Sequence, residues 1–148
     1  MILLDTSVLS AALRRRSPGP AERRIVEALS SLLETREHIG VPGLVLQEVL
    51  SGIREELQFE KIKSIILRGY PIVLAETQDH LLAATLLNGC ARKGVAISSG
   101  DGLLAALAVN RNASFFTTDR DFTRVSKLFP LKLFTIPKPR RKSAKTTS

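Results

Sequence analysis

Apolar residues follow two rhythms along this chain. Short unbroken runs alternate with longer stretches in which apolar residues recur every three or four positions. The first rhythm marks buried strands and the second marks helices. Strands are predicted at residues 2–4, 38–41, 71–74, 114–118 and 131–136. Helices are predicted at 6–13, 20–36, 44–53, 55–67, 76–93 and 121–129, and one more opens at Asp101. In the 20–36 helix, Ile25, Leu29, Leu32 and Leu33 share a face, while Arg23, Arg24, Glu27 and Glu34 lie outside it. The 55–67 helix is expected to bury Leu57, Ile62, Ile65 and Ile66. Punctuation supports these bounds: Pro20 suits a first helical turn, and Gly69 and Gly94 suit helix ends. Residues 14–20, Arg-Arg-Arg-Ser-Pro-Gly-Pro, form a loop.

Strands alternating with helices predict an α/β domain around a largely parallel sheet. The 148 residues suit one domain, and the 44% apolar content is enough to fill its core. There is no internal repeat. Without a glycine-rich dinucleotide fingerprint or a P-loop, a nucleotide-cofactor reading has no support. The lone Cys90 excludes an internal disulfide and fits a reducing cytoplasm. Asp5 interrupts the apolar start too early for a secretory leader. No apolar run is long enough to span a bilayer, so no membrane association is expected.

Charge changes the picture at one end. Residues 1–121 carry 14 basic and 14 acidic side chains, whereas residues 122–148 carry eight basic and none acidic. The net charge of +8 therefore comes entirely from the C-terminal end. The domain is expected to occupy residues 1–137, followed by a disordered basic tail at 138–148. Such an end either attracts polyanions, nucleic acid foremost, or is a solvated tail that aids solubility.

Four acids stand at informative places. Asp5 closes the first strand, Asp101 precedes the apolar helix around residues 103–109, and Asp119 follows the fourth strand. Each, taken singly, also reads as a helix cap, and Ser98 or Ser99 could cap in place of Asp101. Glu48 lies inside a helix at the margin of the face made by Val45, Val49 and Ile53, where a lone Glu usually turns to solvent. In a parallel sheet, strand ends and helix starts share one rim, and ligands bind there. Carboxylates converging on that rim repel one another unless a cation relieves them. Hard oxygen donors suit Mg²⁺ or Mn²⁺. Zinc is disfavoured, because Cys90, His38 and His80 make no ligand pattern. A cation held by carboxylates can acidify water and neutralise phosphoryl charge, the chemistry of phosphodiester hydrolysis.

At these residues the chain resembles the PIN-domain ribonucleases and, within them, the VapC-type toxins of toxin–antitoxin pairs. The matching motifs are Ile2-Leu3-Leu4-Asp5-Thr6-Ser7, Gln47-Glu48-Val49-Leu50 with Gly52, and Asp101 followed by Leu104-Ala105-Ala106 with Ala108. The last is Thr117-Thr118-Asp119-Arg120-Asp121-Phe122. Each is short, and their order and spacing carry the resemblance. It implies an α/β/α sandwich and endoribonuclease activity. It also implies an acidic site of Asp5, Glu48, Asp101 and Asp119, with Asp5, Asp101 and Asp119 binding Mg²⁺ or Mn²⁺. Thr6, Ser7 and Thr118 are expected to orient water or phosphate, and Asp121 to lie in an outer position or to cap its helix. The implied partners are RNA, a second copy of the chain and a small antitoxin. Leu9, Leu13 and the 20–36 helix would offer that antitoxin an apolar groove, or serve as core.

Arg14, Arg15 and Arg16 with Lys138, Arg140, Arg141 and Lys142 are the candidate RNA contacts. This cationic surplus exceeds what a minimal toxin needs. It keeps open an RNA-processing nuclease without antitoxin, and a PIN domain that binds RNA without cutting it.

Overall fold

The structure, a computed structural model, describes residues 1–13 and 19–137. The arginine loop and the basic tail, and with them the candidate RNA contacts, lie outside the described residues. The elements run β1 (Ile2–Leu4), α1 (Thr6–Leu13), α2 (Pro20–Glu34), β2 (Ile39–Pro42), α3 (Gly43–Ser51) and α4 (Glu56–Gly69). They continue β3 (Ile72–Val73), α5 (Thr77–Arg92), α6 (Ser99–Asn110), β4 (Ser114–Phe116), α7 (Asp121–Leu128) and β5 (Lys132–Leu133).

The five strands pair in the order β3-β2-β1-β4-β5, all parallel. The fold class expected from the strand–helix alternation is therefore the one observed. β1 sits in the centre, with Ile2 opposite Ile39 of β2 on one side and opposite Ser114 of β4 on the other. The chain moves outward one way from β1 to β3, then crosses back to build β4 and β5. Right-handed crossovers place the helices of these two excursions on opposite faces of the sheet. The packing agrees: α1 contacts α2 and α3, and α3 contacts α4, whereas α5 contacts α6 and α7. The reversal between β1 and β4 is the switch point of an open α/β sheet, where strand ends leave a crevice.

The core is aliphatic, with three fully buried phenylalanines on the β4 side, Phe115, Phe116 and Phe122. Phe115 and Phe122 meet edge to face at 4.7 Å between ring centres, an arrangement that favours the ring quadrupoles. This contact pins the first turn of α7 against β4. Gly94 follows α5 with φ +73°, a left-handed turn that a residue without Cβ makes at no steric cost.

Several apolar positions were expected inside and lie outside. Leu33, Leu57 and Ile65 are exposed, because α2 and α4 bury narrower stripes than their apolar content suggests; Ile25, Ala28 and Leu29 carry α2, and Ile62 and Ile66 carry α4. The edge strands are also shorter than their apolar runs. Only Ile72–Val73 and Lys132–Leu133 are strand, since an edge strand has one neighbour to pair with.

α5 and α6 pack closely at Gly102, where an added Cβ would lie 2.8 Å from Leu87 Cγ. Gly→Ala inside a helix ordinarily stabilises by about 0.5–1 kcal/mol. Here overpacking, at about 1–3 kcal/mol, should win. Gly102→Ala is therefore expected to lower stability by about 1 kcal/mol net in urea unfolding.

Candidate active site

The rim at the carboxyl ends of β1 and β4 gathers the acids. Asp5 leaves β1 and is 5% exposed. Its carboxylate does not cap α1. Oδ2 instead accepts hydrogen bonds from the Ser7 hydroxyl at 3.0 Å and the Thr117 hydroxyl at 2.6 Å. Thr117 in turn accepts from the Asp119 backbone N–H at 3.0 Å. One hydroxyl thus links the carboxylate that ends β1 to the backbone of the acid that follows β4. Ser7 repeats the pattern, since its oxygen accepts from the Thr118 backbone N–H at 3.2 Å. Two hydroxyl bridges therefore tie the β1 exit to the β4 exit.

Asp101 lies in the first turn of α6, but does not open the helix. Ser98 is the cap, accepting from the Asp101 backbone N–H at 3.1 Å, which leaves the Asp101 side chain free of that duty. Burial pushes the Asp101 carboxyl above the usual aspartate range. A hydrogen bond with Ser98 opposes this, and the charges of Asp5, Asp119 and Glu48 add to the rise. All four acids singled out from the sequence thus share one electrostatic neighbourhood.

Asp119 accepts from the Asp121 backbone N–H at 2.9 Å, an Asx-type turn that leads into α7. With Phe122 buried beneath it, this turn aims Asp121 at the same rim. One carboxylate oxygen from each of Asp101, Asp119 and Asp121 lies within 4.8 Å of the others. Asp5 is not part of this tight group. Asp121, expected in an outer or capping place, belongs to it.

Glu48 is exposed on α3 and accepts from the Thr6 hydroxyl at 2.5 Å. Its other oxygen faces the start of α6, where a Cβ added at Gly100 would stand 3.7 Å from Glu48 Oε1. Thr6 and Ser7 therefore orient carboxylates, while Thr118 contributes its backbone N–H. Thr117 was missed as a site residue, although it stands within the matched motif.

The donor set suits a hard cation. Two oxygens on one Mg²⁺-sized ion sit at most about 4.2 Å apart. A trio already within 4.8 Å needs only a small closure. No sulfur or imidazole competes among these residues.

Beyond the rim, α5 and α6 are held by a second polar group. Asp79, 2% exposed, receives Arg111 through two bonds of 2.9 and 3.0 Å and Asn110 through one of 2.9 Å. Arg111 also donates to the carbonyl of Leu74. This clamp serves the fold. Leu9 is wholly buried and Leu13 half-buried, so Leu9 belongs to the core and not to an open groove. No helix among the described residues is long and apolar enough to cross a membrane.

Thr117→Val removes the hydroxyl that joins Asp5 to Asp119 while keeping the side chain's shape. The protein should stay folded by circular dichroism and lose about 10- to 100-fold in metal affinity by calorimetry, as for other groups that orient metal ligands.

Comparison with known proteins places this geometry. Curated protein sequences return no match. Among solved structures, FitAcB from Neisseria gonorrhoeae superposes with a TM-score of 0.74 at 22% identity, covering 91% of this chain and 97% of that one. VapBC2 from Rickettsia felis, bound to a promoter DNA fragment, gives 0.72 at 23% identity, with coverages of 90% and 98%. The sarcin–ricin loop cleaving toxin VapC20 of Mycobacterium tuberculosis gives 0.64 at 14% identity, with coverages of 84% and 94%. At these identities the likeness is one of fold. The PIN domain family model matches residues 2–128, nearly the whole described domain, and the chain belongs to the PIN domain family.

Proposed function

We propose that this protein is a metal-dependent endoribonuclease and the toxin of a toxin–antitoxin pair. One observation carries the nuclease reading: Asp101, Asp119 and Asp121 bring oxygens within 4.8 Å of one another at the switch point, beside Asp5 and Glu48. The fold neighbours FitAcB, VapBC2 and the toxin VapC20 support the toxin assignment, with an antitoxin, and a second copy of the chain, as partners. The working compartment is the cytoplasm, and the domain spans residues 1–137.

Asp101, Asp119 and Asp121 would hold Mg²⁺ or Mn²⁺, with Asp5 as a further ligand kept in place by Ser7 and Thr117. When bound, the cation supplies Lewis acidity, which acidifies a water and neutralises phosphoryl charge. Glu48 stands apart from the tight group, with one oxygen engaged by Thr6. In this reading Glu48 would accept the proton of the attacking water as the phosphodiester opens. The cationic residues Arg14, Arg15, Arg16, Lys138, Arg140, Arg141 and Lys142 offset the negative site and draw in the RNA backbone.

The test is incubation of the purified chain with total RNA, with and without Mg²⁺ or Mn²⁺, alongside Asp5→Ala, followed by mapping of the new ends. Discrete cuts that need the metal and vanish in the variant are expected. A folded, metal-supplied protein free of antitoxin that cuts nothing overturns the nuclease. A toxin should also arrest growth when expressed alone and be relieved by the product of an adjoining small reading frame.

A further inference from the structure

A cleft of about 270 Å³ opens beside Asp119, between the start of α7 and the segment through β5. The wall it shares with the acidic rim is made by Thr117, Thr118 and Asp119. Thr123 and Thr135 supply hydroxyls, Phe134 and Ile136 an apolar surface, and Arg120 a guanidinium. Arg120, Thr123 and Thr135 are exposed, and none of their side chains makes a hydrogen bond or ion pair among the described residues. Phe134 is half-buried and braced edge to face on Phe116 at 4.7 Å, which fixes the attitude of its ring. Arg120, Thr123, Phe134, Thr135 and Ile136 make no bond to the carboxylates, unlike Thr117 on the shared wall.

We propose that this cleft seats the nucleotide next to the scissile phosphate of a single-stranded RNA, an inference that rests on the nuclease reading above. The volume falls just below the range of about 300–1,000 Å³ of drug-sized sites, so it admits one base with its sugar and not a helix. Hydroxyls both donate and accept, which matches the edge of a base, and a held aromatic ring offers a stacking face. Arg120 adds the charge that a neighbouring phosphate requires. Because Asp119 belongs to both the cleft and the acid group, whatever strand is cut at the acids runs directly past this opening. A base must leave its helix to enter, so the substrate is unpaired there.

Two measurements test it. In the first, full-length Asp101→Asn protein is photocrosslinked to a short random-sequence oligoribonucleotide containing 4-thiouridine. Crosslinks should map to residues 117–136 and fall about tenfold in a Thr123→Val, Thr135→Val background. Their absence from that segment overturns the proposal, and variants there that instead release a bound antitoxin peptide make the cleft a peptide site and overturn it too. In the second, the otherwise wild-type chain and the same double variant cut a random RNA library with Mn²⁺, and the ends are sequenced. The base preference on one side of the cut should flatten in the variant, while the other side and the metal requirement persist. Arg120→Gln should raise KM about tenfold with little change in kcat. An unaltered end profile overturns the cleft assignment. Failure of the wild-type chain to cut the library counts against the nuclease alone, and the crosslinks then decide the cleft separately.

Discussion

Asp101→Asn is expected to reduce RNA cleavage at least about a thousandfold while the metal-free protein melts no lower than wild type. The two halves of this result have one cause. Asp101 is the acid whose titration is raised, by burial first and then by Asp5, Asp119 and Glu48. A cation draws on that negative charge, and without a cation the charge is a burden. Removing it takes away a ligand and relieves repulsion together. The pH dependence has a definite sign. A carboxyl raised in the folded state binds its proton more tightly there than in the unfolded chain. Its effect on metal-free stability is therefore most favourable below the ordinary aspartate value, and stability declines as pH rises through the raised value. Thermal melts in a chelator should show this decline for wild type and a flatter profile for Asp101→Asn. Retained cleavage by a folded Asp101→Asn protein would remove Asp101 from the site.

The second large effect is on stability. Asp79→Ala should cost about 3–5 kcal/mol, because it strands the Arg111 guanidinium and the Glu76 backbone N–H that point at the lost carboxylate. Urea unfolding should show it, with the melting temperature lowered by roughly 10 °C. Burial alone would raise the Asp79 carboxyl, but Arg111, the Glu76 backbone and Asn110 together lower it from 3.8 to about 2. A depressed carboxyl stabilises the folded state above its unfolded value, and that contribution is lost as pH falls from about 4 towards 2, on the order of 2 kcal/mol. Wild type should show this acid loss, and Asp79→Asn should not. Cleavage per folded molecule should survive, because the clamp grips the end of α6 roughly 15 Å from Asp101. A loss of activity without a loss of stability would contradict the structural role.

The strands and helices were legible in the sequence because apolar runs and their spacing report burial directly. Leu33, Leu57 and Ile65 misled because an apolar residue on a helix shows only that it can be buried. The width of the stripe is decided by what packs there. The ends of β3 and β5 were obscured because pairing depends on a neighbouring strand. At the site, strand-end acids were visible as acids breaking apolar patterns. Thr117 was passed over for Thr118, which stands next to Asp119 in the chain. Yet a Thr hydroxyl commonly accepts from the backbone N–H two residues on, and Thr117 lies two residues before Asp119. Asp121 looked like a cap because it opens a helix. What turns it to the rim is the buried Phe122 and the bond to Asp119, neither of which spacing discloses. The Asp79–Arg111 pair spans 32 residues in a chain rich in charges, and an acid in the first turn of a helix reads as an ordinary helix start.

The hydroxyl of Thr117 reaches back 112 residues to Asp5, and β4 is the strand that closes the second side of β1. During synthesis, therefore, the first strand emerges long before its partner. A nascent chain stopped ahead of residue 114 has Asp5, Glu48 and Asp101 but not the Thr117 and Thr118 bonds that tie the two strand exits together, and lacks Asp119 and Asp121 altogether. The acidic rim comes into being only once residues 114–121 have left the ribosome. On the nuclease reading proposed above, products that end ahead of Asp119 are inert, because they carry no assembled acid group.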